Sequence, residues 1–291
     1  MGQTKDKNRI YAIDTDILKD EQLFSYYYAL QRPERREKVD RMRFDKGKRL
    51  TLGAGIVMEA ALEFAGVSDM SVTIDPHGKP VLTGTVGSRE TSVAGSSDSV
   101  SDVLPTHDQD VFPCFFNISH TKNIAVCAVS DREVGIDVEH KRELKDPLVR
   151  RAFTPREISH AEKLNMNDKN PVKAGHEDQG GQSFGLSDDQ LTYYTRLWTI
   201  KESVMKWYGL GLALPPEDIE VRPVTADSSG SEGVAVEPSF IYENSGVDVS
   251  VFVKNHGDCD RLNFTFFSHQ DCCITVCSEY ESFTAGMEWV R

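Results

Sequence analysis

Ala12-Ile13-Asp14-Thr15-Asp16 and Gly135-Ile136-Asp137-Val138-Glu139 are the segments on which the fold turns, because the second echoes the first. About nineteen residues after each acidic pair comes a proline-led charged run, Pro33-Glu34-Arg35-Arg36-Glu37 and then Pro155-Arg156-Glu157. Arg49-Leu50 next precedes Val57-Met58 at the interval that separates Arg196-Leu197 from Val204-Met205. Last, Phe116-Asn-Ile-Ser119-His120 leads to Ile124-Ala-Val-Cys127, and Phe267-Ser268-His269 leads to Ile274-Thr-Val-Cys277. Matches kept in one order indicate two copies of one unit, joined near residue 130. The period is too long for a solenoid.

Each copy reads as strand, helix, long helix and then strands, so the expected class is α+β. The expected architecture is a pseudo-twofold pair of similar α/β lobes, residues 1–130 and 131–291, with a ligand cleft between them. Stretches rich in Gly, Ser, Asp and Asn at about 84–112 and 165–190 read as insertions. Residues 217–258 mix turn-rich segments with strand-like pieces such as Ser250-Val-Phe-Val253.

The 291 residues carry 33 Lys+Arg against 46 Asp+Glu, a formal net charge of −13. That balance argues against broad binding to nucleic acid or anionic membrane surfaces. The acidity is uneven: 84–112, 165–190 and 217–258 carry −4, −3 and −7, which leaves the rest of the chain at +1. No apolar run is long enough for a transmembrane helix, and the polar N-terminus lacks the apolar core of a signal peptide, so a cytoplasmic location is expected. There the sequons at Asn117 and Asn263 should be silent. Six cysteines without a Cys-x-x-Cys pair are read as small buried hydrophobes rather than metal ligands.

The segment Tyr194-Thr-Arg-Leu-Trp198-Thr-Ile-Lys201-Glu202-Ser-Val-Met-Lys206-Trp-Tyr208 places Tyr194, Leu197, Ile200, Val204 and Tyr208 on one helical stripe. Glu202 and Lys206 fall on the opposite side, four residues apart. Alone they would make a surface ion pair worth about 0.3–0.5 kcal/mol. In a strand, however, Asp137 and Glu139 share one face while Ile136 and Val138 share the other. Adjacent carboxylates repel unless a cation, proton or base compensates them. With Glu202 they would form an all-oxygen site suited to Mg²⁺; a solvated strand end is the alternative.

Residues 32–49 carry a net +5, against the global sign, which fits either a solvated helix face or a phosphate-binding patch. His77-Gly78-Lys79-Pro80 combines a permissive backbone with a cation and a rigid turn. Phe116-Asn-Ile-Ser119-His120-Thr121 ends an apolar run with hydroxyl and imidazole groups. The doublet Gly53-Ala-Gly55 lies inside a helical pattern and is read as packing.

Together, Gly78-Lys79-Pro80, Phe116-Asn-Ile-Ser119-His120, Gly135-Ile-Asp137-Val-Glu139, Phe153-Thr-Pro-Arg-Glu157, Trp198-Thr-Ile-Lys201-Glu202-Ser-Val-Met-Lys206 and Gly209-Leu-Gly211-Leu-Ala-Leu-Pro215 resemble the Sfp-type 4′-phosphopantetheinyl transferases. The resemblance covers most of the chain and implies the two-lobed fold of that family. It implies transfer of phosphopantetheine from coenzyme A to a serine of an apo acyl or peptidyl carrier protein, with release of 3′,5′-ADP. By position, Asp137, Glu139 and Glu202 would hold Mg²⁺ against the pyrophosphate. Glu202 would take the serine proton, directly or through water, and Lys206 would meet the phosphate under attack. Arg35, Lys38 and Arg49 would grip the 3′-phosphate region, with Gly78, Lys79, Pro80, Ser119 and His120 completing the coenzyme A pocket. Arg35 stands where relatives often have lysine, and the region before Arg49 differs in length.

The alternatives are a Mg²⁺-dependent phosphohydrolase or nuclease using the same carboxylates, and a non-catalytic carrier-protein binder. Carrier docking is expected near Phe153 and Ile158. An internal pseudo-dimer has less need of a partner subunit, so a monomer is expected.

Overall fold

The computed structural model describes residues 8–67, 72–74, 76–82, 114–142, 144, 146–167, 186–223, 249–279, 283 and 287–290. The expected insertion at 84–112, the middle of the one at 165–190, and residues 224–248 lie outside the described residues. At the edges of the second stretch, residues 165–167 and 188–190 lie in helices.

The first half runs β1 (Arg9–Asp14), α1 (Glu21–Leu30), α2 (Pro33–Asp40), α3 (Asp45–Phe64), a short pair β2 (Val72–Ile74) and β3 (Pro80–Leu82), then the hairpin β4 (Phe115–Thr121) and β5 (Ile124–Ser130). The second runs β6 (Val134–His140), α4 (Asp146–Ala152), α5 (Pro155–Asn167), α6 (Asp188–Tyr208), β7 (Ile219–Pro223), β8 (Val249–Val253), β9 (Gly257–Asp258), the hairpin β10 (Asn263–His269) and β11 (Cys272–Ser278), and β12 (Met287–Trp289). The chain is α+β, as its sequence pattern requires. Among the described residues no helix is long and apolar enough to cross a membrane.

One sheet has the order β12-β1-β5-β4, antiparallel except for β12 alongside β1, and another has the order β10-β11-β6. The C-terminal strand thus pairs with the first strand of the chain. Strand alternation divides the core into layers. Ile10, Ala12, Ile124, Val126, Ile136, Val138, Ile274 and Val276 share one cluster between the sheets. Tyr11, Ile13, Ala125 and Cys127 point the other way, onto α3, and Cys277 packs with α6 on the far side.

Helix α6 starts six residues before Tyr194 because Ser187 and Gln190 form a reciprocal capping box, and it stops at Gly209, in the left-handed conformation (φ 69°). It is buried well beyond its apolar stripe: Arg196 donates to the carbonyls of Phe267 and Ile274 and to Ser268 Oγ, tying the helix to the β10–β11 hairpin. Two glycines allow close approach. A Cβ at Gly53 would strike Thr15, and one at Gly135 would strike the Ser203 carbonyl. Gly53 and Gly55 are packing positions, as read from the sequence.

Each half runs strand, helices and then strands, but the backbone register does not follow the residue match read from the sequence. Both hairpins turn on two residues, Lys122-Asn123 and Gln270-Asp271. Thr15 N donates to Asn123 O (2.7 Å) and Lys141 N donates to Asp271 O (2.8 Å), so Thr15 corresponds to Lys141. Asp14 lies opposite Ile124 and His140 opposite Cys272. The counterpart of Asp137 is therefore Tyr11, three residues from the Asp14 that sequence similarity selects. Only one half carries the paired carboxylates; the other places Tyr11 and Ile13 in the core.

Candidate functional site: an acidic seam beside a basic cavity

Strands β4 and β6 run beside each other, with side chains of β4 standing in for ladder partners. Asn117 Oδ1 accepts from Ile136 N (3.1 Å), and Ser119 Oγ accepts from Val138 N (3.3 Å). Ser119 Oγ also donates to Asp137 Oδ1 (2.8 Å), and Thr121 Oγ1 donates to Glu139 Oε2 (3.2 Å). The odd residues of β4 thus face the acidic strand, while Phe116 and Ile118 pack on the α3 side and His120 joins Ile118 at a cavity wall.

Asp137 and Glu139 share a face, as the period of a strand dictates. Because Gly135 lets α6 lie directly on β6, Lys206 Nζ reaches Asp137 Oδ1 (2.7 Å) and the Ile136 carbonyl (3.0 Å). Lys206 is therefore bound across elements, to β6 rather than along its own helix. Asp137 is 5% exposed, and its Oδ2 is buried with no hydrogen-bond partner.

Burial and then the charge of Asp137 push Glu202 up to about 7, with Glu139 adding to the rise and Lys206 opposing it. Burial, and next Asp137, also raise Glu139. Three mutually repelling carboxylates with an orphaned inner oxygen fit a hard divalent cation in donor chemistry and in charge. Among the described residues no three His, Cys, Asp or Glu side chains are gathered into a ready-made metal cage.

On the other side of β4 lies a cavity of about 570 Å³. Its wall includes Arg32, which caps α2, Glu34, Arg35 and Lys38 from α2, Met58 and Glu59 from α3, Gly78 and Pro80, and Ile118 and His120 from β4. Burial lowers the pKa of His120, and nearby Lys206 and Arg35 lower it further, so the imidazole stands between cavity and seam in its neutral form near pH 7.

Of the sequence-derived residues, Arg35, Lys38, Gly78, Pro80 and His120 meet at this cavity, and Asp137, Glu139, Glu202 and Lys206 meet at the seam. Ser119 joins the seam through its hydroxyl. Arg49 borders a separate cavity of about 360 Å³ with Lys19, Glu21 and Lys48. Lys79 turns to Glu133 (2.7 Å). Phe153, expected at a docking surface, is 2% exposed and packs on Tyr194 with ring centroids 4.8 Å apart.

Sequence reasoning passed over the clamp beneath the site. Lys201 is fully buried and donates to Glu157 Oε2 (2.8 Å) and to the carbonyls of Ala152 and Pro216. Glu157 also accepts from Thr154 N and Val221 N. The Thr154-x-x-Glu157 capping pattern was the available signal, but nothing local names Lys201 as its partner.

The fold and site define an α+β protein with a cation-lined cavity against a buried carboxylate seam. Residues 133–240 match the family model of the 4′-phosphopantetheinyl transferase superfamily. The chain is 35% identical over 107 residues to a 4′-phosphopantetheinyl transferase of Bacillus subtilis, covering 37% of this chain and 38% of that protein. It is 24% identical over 217 residues to 4′-phosphopantetheinyl transferase Sfp of Bacillus subtilis (strain 168), covering 74% and 76%. With 4′-phosphopantetheinyl transferase HetI of Nostoc sp. (strain PCC 7120 / SAG 25.82 / UTEX 2576) it shares 29% over 179 residues, covering 60% and 56%. The chain is thus similar, at moderate identity, to 4′-phosphopantetheinyl transferases, and it spans 38%, 76% and 56% of the length of these three relatives.

Proposed function

We propose that this protein transfers 4′-phosphopantetheine from coenzyme A to a serine of an apo acyl or peptidyl carrier protein. The observation that carries the reading is the arrangement of Lys206, Asp137, Glu139 and Glu202 on one side of β4 and the cation-lined cavity on the other. Arg35 and Lys38 would bind the phosphates of coenzyme A, with Gly78 and Pro80 admitting the nucleotide close to the backbone. The serine oxygen bonds to the β-phosphorus and the pyrophosphate P–O bond breaks. The electron pair of that bond leaves with 3′,5′-ADP, and the serine proton passes to Glu202, directly or through water. Without a cation Glu202 titrates at about 7, which suits that task, and holding Mg²⁺ would weaken it as a base, which favours passage through water. Lys206 offsets charge on the phosphoryl oxygens. Asp137, Glu139 and Glu202 would hold Mg²⁺, which when bound supplies further charge neutralisation at the pyrophosphate.

The repeated element order supports a pseudo-twofold pair of lobes, 1–130 and 131–291, with coenzyme A in the cleft between them. We propose a cytoplasmic monomer. The test incubates the protein with Mg²⁺, coenzyme A and apo fatty-acid, polyketide and peptide carriers, then measures carrier mass. A phosphopantetheine adduct with 3′,5′-ADP is expected; ADP-type product without a carrier, or no adduct on any carrier, overturns the reading.

A further inference from the structure

The β2–β3 loop belongs to a pair of three-residue strands, too short to hold a ligand wall by itself. Gly78 of this loop and Pro80, the first residue of β3, nevertheless border the cavity, and Gly78 has a left-handed backbone (φ 89°). Two contacts join this loop to the unit that bears the seam. The His77 carbonyl lies beside Gly211, just beyond α6, where an added Cβ would sit 3.5 Å from it. Lys79 Nζ meets Glu133 Oε2 at 2.7 Å, with the lysine side chain 13% exposed and the glutamate 43%. Glu133 directly precedes β6, and its carbonyl accepts from Trp207 Nε1 (3.1 Å), next to Lys206 on α6.

We infer that Glu133 is a positioning residue for coenzyme A: through Lys79 it holds Gly78 and Pro80 at the cavity wall, in register with Asp137 and Lys206. On this account Lys79 is a tether and not a phosphate ligand. Its ammonium is directed at a carboxylate anchored beside the seam, so gripping a phosphate would break the link that shapes the wall. The inference rests on the coenzyme A reading and adds a residue to it.

The test measures coenzyme A binding by calorimetry, and transfer kinetics at varied coenzyme A with saturating apo carrier. Glu133→Gln is expected to raise both the Kd and the KM for coenzyme A about fivefold while kcat moves less than about twofold. Glu133→Asp should fall between that variant and the wild type. The exchanged pair, Glu133→Lys with Lys79→Glu, should recover most of the lost affinity, which general loosening of the fold would not do. An unchanged or lower KM in Glu133→Gln overturns the inference, since a phosphate-binding Lys79 would be freed by removing Glu133. So does an exchanged pair weaker than either single variant. Wild-type protein that binds no coenzyme A overturns the proposed function as well, whereas normal wild-type binding with insensitive Glu133 variants overturns this inference alone.

Discussion

Lys206 Nζ and Asp137 Oδ1 are 2.7 Å apart across the packing of α6 on β6, and Ser119 Oγ donates to the same oxygen from β4. One carboxylate oxygen thus joins three elements of the fold, while its partner oxygen stays buried and unbonded.

Lys206→Met should lower transfer by about 10²–10³-fold, the scale for removing a preorganised charge from a developing oxyanion. It should also destabilise the fold, because Asp137 keeps its burial and loses its cation. Single-turnover rates and urea unfolding separate the two effects.

Glu202→Gln should abolish measurable transfer while holding or raising the melting temperature. The carboxylate is raised by burial and by Asp137, so the neutral amide relieves desolvation and repulsion together. A large fall in Tm would contradict this account of the seam.

Gly135→Ala should destabilise by about 1–3 kcal/mol or more, since the new methyl meets the rigid Ser203 carbonyl rather than a movable side-chain end. Transfer by the folded fraction should fall as well, because α6 must shift and carry Glu202 and Lys206 with it. Urea midpoints, and rates corrected for folded protein, report both.

Lys201→Met should cost about 3–5 kcal/mol, the scale for stranding one member of a buried ion pair. The double variant Lys201→Met with Glu157→Leu should lose less than the sum of the singles, though Val221 N and Thr154 N also lose their acceptor. Denaturant unfolding of all three proteins measures the coupling.

Acid should weaken the fold through its histidines. Burial is the leading cause that lowers His120, His140 and His160, with neighbouring cations helping. The unfolded chain then binds protons below about 6.5 while the folded chain does not. Stability from these residues is intact above that value and is lost as pH falls through the folded pKa values. Histidine titrations by NMR should lie below 6.5, and urea midpoints should fall over the same window.

Much of the site was legible because it depends on local geometry. Strand alternation alone put Asp137 and Glu139 on one face and Ile136 and Val138 on the other, as observed. Helix periodicity put Glu202 and Lys206 together, away from Leu197, Ile200 and Val204. Those rules follow from backbone dihedrals and hold wherever the segment is placed.

What chain order could not supply was the choice of partner. Lys206 pairs with Asp137 because Gly135 permits helix-on-strand contact, and Lys201 finds Glu157 from 44 residues away. Arg49 borders a different cavity from Arg35, and Phe153 is drawn into the core. Strands β1 and β6 show the boundary most sharply. Similarity of residues aligned Asp14 with Asp137, yet hydrogen-bond register pairs Tyr11 with that position, so one half has the carboxylates and the other a hydrophobic face. Periodicity is a property of a single segment, whereas register and ion-pair partners arise from which segments the whole fold brings into contact.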